Sequence, residues 1–335
     1  MVPYGQRHGR HGLCGVTGGR RVCGVRGAGE KERNREETKM ETNVANANLN
    51  WYPGHMTKAK RMMQEEIKLV DLVIELVDAR IPLSSRNPDI DELAKNKSRI
   101  VLLNKADLAD EDGNRRWVAY LKAQGIHVLE MNARTGAGTK AIQGLVQSAC
   151  KEKLERDRKR GIVNRPVRAM VVGIPNVGKS TFINSFAGRA CTKTGNKPGV
   201  TKGKQWIRLN KSLELLDTPG ILWPKFSDRE VGLRLAYIGS MNDEIIVIQE
   251  LALDFIRHIA KRYAQVFADR YGVAYPEMLS EEKAALYILD EIAKSRNCYK
   301  KGGETDYEKA ASLLIEDFRS GRLGRITLEF PQDAG

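Results

Sequence analysis

An α/β architecture, with a mainly parallel sheet flanked by helices and a smaller all-helical region after it, is predicted by three features of this 335-residue chain. Apolar runs of strand length alternate with helical patterns between Asn50 and Leu216. Some of those runs, such as Val70–Val77, are almost continuously apolar, as strands covered on both faces must be. Beyond Pro224 only helical periodicity remains.

Residues 1–50 are Gly- and Arg-rich and then highly charged, without alternation or helical period, so residues 1–45 are expected to form a disordered extension, with Met40 a plausible start. From Asn50 the expected strands are Leu72–Val77, Arg99–Leu103, Ile126–Met131, Val167–Val172, Gln205–Leu209 and Leu213–Leu216. Helical patterns fall between them at Thr57–Lys68, Ile90–Lys95, Gly113–Ala123, Thr139–Lys159 and Lys179–Ala187. Asp243–Tyr271 reads as one long amphipathic helix, with Ile248, Leu251, Phe255, Ile259 and Tyr263 at helical spacing. Ser280–Ser295 and Asp306–Arg319 follow, and an extended tail, Arg325–Phe330, comes last. The expected division is therefore an extension over 1–45, an α/β domain over 46–225 and a helical domain over 226–335.

Composition narrows the class. Hydrophobic residues at 41% and charged residues at 29% fit a globular chain, and no apolar run approaches the length needed to cross a bilayer. Five scattered cysteines without a C-x-x-C pair fit reduced thiols in a cytoplasmic protein. With 56 Lys+Arg against 42 Asp+Glu the net charge is +14, which points to a polyanionic partner, nucleic acid first.

The chemistry lies in a few short strings. Gly173-Ile-Pro-Asn-Val-Gly-Lys179-Ser180 matches G-x-x-x-x-G-K-[ST] between a strand and a helix, the context a phosphate loop requires. Its N–H groups and the helix N-terminus suit phosphate, with Asn176, Val177, Gly178, Lys179, Ser180 and Thr181 as the contacting set. Lys179 would reach the β- and γ-phosphates and Ser180 would hold Mg²⁺. Asp217-Thr-Pro-Gly220 closes the strand Leu213–Leu216. There Asp217 can hold Mg²⁺ through a water and the Gly220 N–H can meet the γ-phosphate. Thr201, in the Gly/Lys-rich stretch between these strings, could complete the Mg²⁺ shell.

Asn104-Lys-Ala-Asp107 follows the strand Arg99–Leu103. The Asp107 carboxylate can accept the N1–H and N2–H₂ of guanine, a pair adenine lacks. Asn104 can bond the N7/O6 edge, and the Lys105 stem can lie against the base. A site built on such bonds rejects the analogue lacking them. In ordinary P-loop GTPases this string follows the phosphate loop, whereas here it comes about seventy positions earlier.

In this order the chain resembles the circularly permuted GTPases. Trp51-Tyr-Pro-Gly-His55-Met56, Asp78-Ala-Arg80, Asn104–Asp107, Gly173–Ser180, Asp217–Gly220 and Ile221-Leu-Trp-Pro-Lys225 are similar to the bacterial ribosome biogenesis GTPase A family, across Asn50 to Phe330. The resemblance implies a cytoplasmic GTPase with a permuted P-loop fold. It implies docking on a late precursor of the large ribosomal subunit, through rRNA and ribosomal proteins, with release after hydrolysis. The base-closing loop would fall at Asn132-Ala133-Arg134, where the usual pattern begins Ser-Ala. A non-catalytic GTP-dependent RNA scaffold and an organellar assembly GTPase are the alternatives.

Position 221 is Ile, where Ras-like proteins often place a water-orienting Gln, so slow intrinsic hydrolysis is expected. His55 either orients water, as the resemblance implies, or holds the N-terminal turn. Asn176 either coordinates K⁺ beside the β/γ bridge, as in potassium-activated GTPases, or shapes its loop by bonding its own backbone. Arg80 is read as structural or precursor-contacting rather than as an arginine finger. Two basic surfaces are candidates for RNA: Lys151–Arg168, with net charge +5, and Arg257, His258, Lys261 and Arg262 opposite the apolar stripe of the long helix.

Overall fold

The computed structural model describes residues 61–162, 165–191, 205–218, 229–241 and 247–334. His55, Thr201, Gly220 and Ile221 lie outside these residues, as do the 1–45 extension and the boundary expected at 225/226.

Helical residues 61–66 run through a 3₁₀ turn, Ile67–Leu69, into β1 (Leu72–Asp78). There follow α1 (Asp89–Leu93), β2 (Ser98–Asn104), α2 (Glu111–Ala123), β3 (His127–Glu130), α3 (Thr139–Ala149) and α4 (Lys151–Lys159). The chain continues through β4 (Val167–Val172), α5 (Lys179–Ala187), β5 (Gln205–Arg208) and β6 (Leu213–Asp217). The helical region contains α6 (Arg229–Tyr237), α7 (Ile248–Tyr263), α8 (Gln265–Tyr271), α9 (Glu281–Ser295) and α10 (Tyr307–Arg319), before a closing 3₁₀ turn, Pro331–Ala334.

The six strands lie in the order β3-β2-β1-β4-β6-β5, parallel except for the antiparallel pair β5 and β6. Every residue of β1 is buried, as its apolar run demands. Its side chains alternate between faces: Leu72, Ile74 and Leu76 join the largest core, while Val73 and Val77 enter two smaller clusters on the other side. Glu75 is the exception in this strand. It is buried, with Arg86 and Arg99 each 3.2 Å from its carboxylate.

Chain order and sheet order diverge at one place. β1, β2 and β3 step outward in one direction, and the chain then returns to lay β4 against the other side of β1. A crevice opens at the carboxyl ends of strands where the winding reverses, and that is where α/β sheets bind ligands. Asp78 at the end of β1 stands opposite Asn104 at the end of β2, and β4 runs directly into the phosphate loop.

Three elements differ from the expected ones. Thr139–Lys159 is two helices broken at Cys150 (φ −101°, ψ 13°). Cys150 is buried in the core, whereas α4 buries no residue fully and returns only the half-buried Leu154 to it, so little apolar surface carries the first helix axis onward. The long helix expected over Asp243–Tyr271 is α7 and α8, interrupted at Ala264. Before it stands α6, not foreseen as a separate helix, which buries Leu235, Ala236 and Tyr237. The largest core continues without a gap from Leu72 of the sheet to Phe255 and Phe318 of the helices.

Candidate nucleotide-binding site

The loop from Gly173 to Gly178 links β4 to α5. Gly178 has φ +99°, and a Cβ there would sit 2.6 Å from Asn104 Nδ2. A Cβ on Gly173 would sit 2.6 Å from the Leu76 carbonyl oxygen. The two ends of the loop therefore press on neighbouring backbone and side chain so closely that only glycine fits. α5 carries no acidic side chain in its first turn, so the positive field of its N-terminus stays uncompensated there.

Lys179 is the first residue of α5 and is only 8% exposed. Its ammonium donates to the carbonyls of Gly173 (3.0 Å) and Ile174 (3.2 Å), across the hollow of the loop. Burial lowers its pKa to about 8, against the pull of Asp217. Asp217 ends β6 and is buried. Burial pushes its carboxyl up and Lys179 opposes the shift. Its Oδ1 has no hydrogen-bond partner among the described residues. A buried carboxylate oxygen with unsatisfied acceptor capacity, beside the helix that begins Lys179-Ser180, fits a hard divalent cation such as Mg²⁺. The neighbouring Thr218 hydroxyl donates to the Val171 carbonyl at 2.7 Å.

The N-K-x-D string and the phosphate loop meet directly. Asn104 Nδ2 donates to the Val177 carbonyl (2.7 Å), and its Oδ1 accepts from the Ala133 N–H (2.9 Å). The buried Asn104 amide thus staples the phosphate loop to the loop after β3. Its expected role is to bond the base; here each end bonds protein backbone, and Nδ2 keeps one further proton to donate and Oδ1 one further lone pair to accept with. Lys105 has φ +59°, and its ammonium lies 3.0 Å from both the Asn176 carbonyl and Asp78 Oδ2. Burial would raise the Asp78 carboxyl, but Arg80 and Lys105 overcome this and hold it well below the usual carboxylate range. Asp107 is exposed at the rim.

Arg80 is buried and pairs with Asp78 at 2.8 and 2.9 Å. It also donates to the Phe318 carbonyl (3.3 Å), with its guanidinium 4.8 Å from the Phe318 ring centroid. It therefore closes the C-terminus of α10, a structural role. Asn132 Oδ1 accepts from the N–H groups of Arg134 (2.8 Å) and Thr135 (3.1 Å), so it shapes its own loop, and Ala133 supplies the link to Asn104.

Asn176 has φ +59°, and its Nδ2 donates to the Gly239 carbonyl at 2.6 Å. This side chain bonds the turn after α6 and not its own backbone, the bond the loop-shaping alternative assumed. Ser240 Oγ adds a bond to the Pro175 carbonyl at 2.8 Å. The Gly239–Ser240 contact, like the Asp78–Lys105 bridge, carries no signal in the sequence, because each joins residues remote along the chain.

The basic surfaces also acquire partners. Lys153 pairs with Asp157 and Asp71, Arg165 with Asp71, and Arg168 with Glu214. On α7, Arg257 pairs with Asp254, His258 bonds the Leu328 carbonyl at 2.9 Å, and Arg262 stacks 3.8 Å over Phe330. That face holds the C-terminal tail in place.

A phosphate loop at the switch point of a parallel sheet, stapled to an N-K-x-D string that precedes it in the chain, defines a P-loop GTPase of permuted order. Residues 168–274 match the family profile described as 50S ribosome-binding GTPase. The chain is 47% identical over 288 residues to the ribosome biogenesis GTPase A of Bacillus cereus, covering 86% of this chain and 95% of that one. It is 33% identical to the Bos taurus mitochondrial ribosome-associated GTPase 1, over 83% of this chain and 88% of that one. The GNP-bound YlqF structure from T. maritima superposes with a TM-score of 0.58 at 30% identity, covering 82% of this chain and 99% of that one. The chain belongs to the ribosome biogenesis GTPase A family. It is a GTP hydrolase of ribosome assembly that binds its nucleotide with Mg²⁺. No helix among the described residues is long and apolar enough to cross a membrane.

Proposed function

We propose that this GTPase acts in the cytoplasm at a late step of large-subunit assembly, binding the precursor in its GTP state and leaving after hydrolysis. The observation that carries this reading is the staple of Asn104 and Lys105 onto Val177 and Asn176, which brings a guanine-reading string to the rim of the phosphate loop. The 50S description of the matched profile and the names of the relatives support the large subunit as the partner. Identity of 47% to the Bacillus cereus relative, against 33% to the Bos taurus mitochondrial one, supports the cytoplasm over an organelle.

Asp107 reads the N1–H and N2–H₂ edge of guanine from its exposed position. Lys179 exchanges the two loop carbonyls it now bonds for β- and γ-phosphate oxygens, and the N–H groups from Val177 to Thr181 cradle the phosphates. Ser180, Thr201 and, through a water, Asp217 would hold Mg²⁺, which would supply positive charge against the β- and γ-phosphates, and the Gly220 N–H would meet the γ-phosphate. His55 orients the attacking water. The Asn176 amide oxygen would coordinate K⁺ beside the β/γ bridge while its Nδ2 holds the Gly239 carbonyl. Exposed cations of α4 and Lys261 meet rRNA phosphates.

The reading is tested by sedimenting lysate with a non-hydrolysable GTP analogue. The protein should co-migrate with large-subunit precursors and leave them with GDP; migration at the top of the gradient in both states would overturn it. His55→Ala should abolish precursor-stimulated hydrolysis while leaving GTP binding intact. Replacing K⁺ by Na⁺ should slow phosphate release, and equal rates would remove Asn176 from a monovalent site.

A further inference from the structure

The tail Arg325–Phe330 does not hang from the helical region. It lies on the turn that presents Asp107. Three carbonyls around Asp107 are taken by two tail residues. Arg325 Nη2 donates to Ala106 (3.1 Å), Arg325 Nε to Ala109 (2.7 Å), and the Ile326 N–H to Leu108 (3.0 Å). Thr327 Oγ1 accepts from the Asp110 N–H at 3.0 Å, and Arg325 also pairs with Glu111. The fit is close: a Cβ on Gly113 would stand 2.8 Å from Thr327 Oγ1. From α2, Asn114 Nδ2 shares the Ala106 carbonyl at 3.0 Å, and the Ala106 N–H donates to the Met131 carbonyl (3.2 Å). The backbone on both sides of Asp107 is thus gripped, and the larger share of the grip comes from residues more than two hundred positions away in the chain.

We infer that Arg325 is a positioning residue for guanine recognition: it fixes the Ala106–Ala109 turn so that Asp107 meets the N1–H and N2–H₂ donors together. The inference rests on the reading of Asp107 given above. Two donors on one carboxylate demand orientation as well as distance, because hydrogen bonds weaken steeply off-axis. A turn released from Arg325 still offers a carboxylate, but one whose paired geometry is lost. The donor that suffers is the second one, the N2 amino group that distinguishes guanosine from inosine.

The experiment measures GDP and IDP affinities of the full chain by titration calorimetry. Arg325 is 42% exposed, so its removal leaves no buried charge unpaired and the effect is moderate. Arg325→Ala should weaken GDP about fivefold and IDP by less than about twofold, narrowing the GDP/IDP ratio. Arg325→Lys keeps a cation for Glu111 but cannot grip both carbonyls, so it should narrow the ratio as the Ala variant does. Asp107→Ala should bring the ratio to about one, and adding Arg325→Ala to it should change the ratio no further. Equal losses for GDP and IDP in Arg325→Ala would show a merely structural part and overturn the inference, as would a wild-type ratio in Arg325→Lys. If Asp107→Ala kept the wild-type ratio, the guanine-pocket reading would fail at its source.

Discussion

Lys179 is the residue whose electrostatics reach furthest into function. Its ammonium sits in a buried loop with two carbonyls for company, and burial brings its pKa down to about 8 from an ordinary value of 10.5. Between those two values the unfolded chain binds the proton and the folded one does not. The stability of the nucleotide-free protein on this account rises with pH across that window. Phosphate oxygens reverse the preference, since they favour the charged form. GDP binding at pH 8.5 should therefore take up a measurable fraction of a proton, seen as a buffer-dependent heat in calorimetry, and affinity should decline as pH rises above about 8. Lys179→Met should bind weakly and without that uptake. An uptake that persists in Lys179→Met would assign the proton elsewhere. Gly178→Ala tests the same loop by sterics, because the new Cβ meets Asn104 Nδ2 at a backbone angle that strains any side chain. It should lose most nucleotide affinity while its far-ultraviolet dichroism stays native.

At the scale of elements, what the sequence made legible was whatever lies in one contiguous string. The strands showed because parallel strands buried on both faces are apolar without alternation, and β1 is buried along its whole length. The phosphate loop and N-K-x-D showed because their chemistry needs neighbours in sequence. The parts that did not show depend on partners far along the chain. Asp78 with Lys105, Asn176 with Gly239, and the tail on the Asp107 turn are set by sheet order, which no local pattern carries. The break at Cys150 was missed for a related reason: α4 continues the helical period of α3, but it is highly charged and has only Leu154 to set against the core. The basic face of α7 pointed to nucleic acid, yet His258 and Arg262 hold the tail. The Gly239–Ser240 turn offers a test at this scale. Ser240 is fully buried and its hydroxyl ties α6 to the Pro175 carbonyl. Ser240→Ala should cost about 1–2 kcal/mol of stability and speed hydrogen exchange in α6 more than in β4. Uniform acceleration across both elements would mean that the bond does not couple them.

At the scale of the whole molecule, the tail makes the sheet and the helices depend on each other. The Glu329 carboxylate is buried in the loop after β1. There it accepts from the Leu83 and Ser84 N–H groups and the Ser84 hydroxyl, with Arg234 of α6 at 3.4 Å. The Glu329 carbonyl accepts from Trp117 Nε1 of α2 at 2.9 Å, and the Leu328 N–H bonds the Arg80 carbonyl at 2.8 Å. One hydrophobic core runs through β1, α7 and α10. Residues joined by a common core and a shared polar network lose their contacts together. Thermal unfolding of the nucleotide-free protein should then be a single transition, with calorimetric and van't Hoff enthalpies in agreement, although the chain has an α/β part and a helical part. Glu329→Ala leaves the Leu83 and Ser84 donors unsatisfied in a buried place. It should lower the midpoint by roughly 3–6 °C without splitting the transition, given a loss of about 2–4 kcal/mol and about 1.5 °C per kcal/mol at the usual unfolding entropy per residue. GDP at a hundred times its Kd should raise the same transition as one step, by about 2.7 kcal/mol, carrying α9 and α10 with the phosphate loop. A helical transition that ignores GDP while the sheet responds would mean the tail is an ornament on two independent domains.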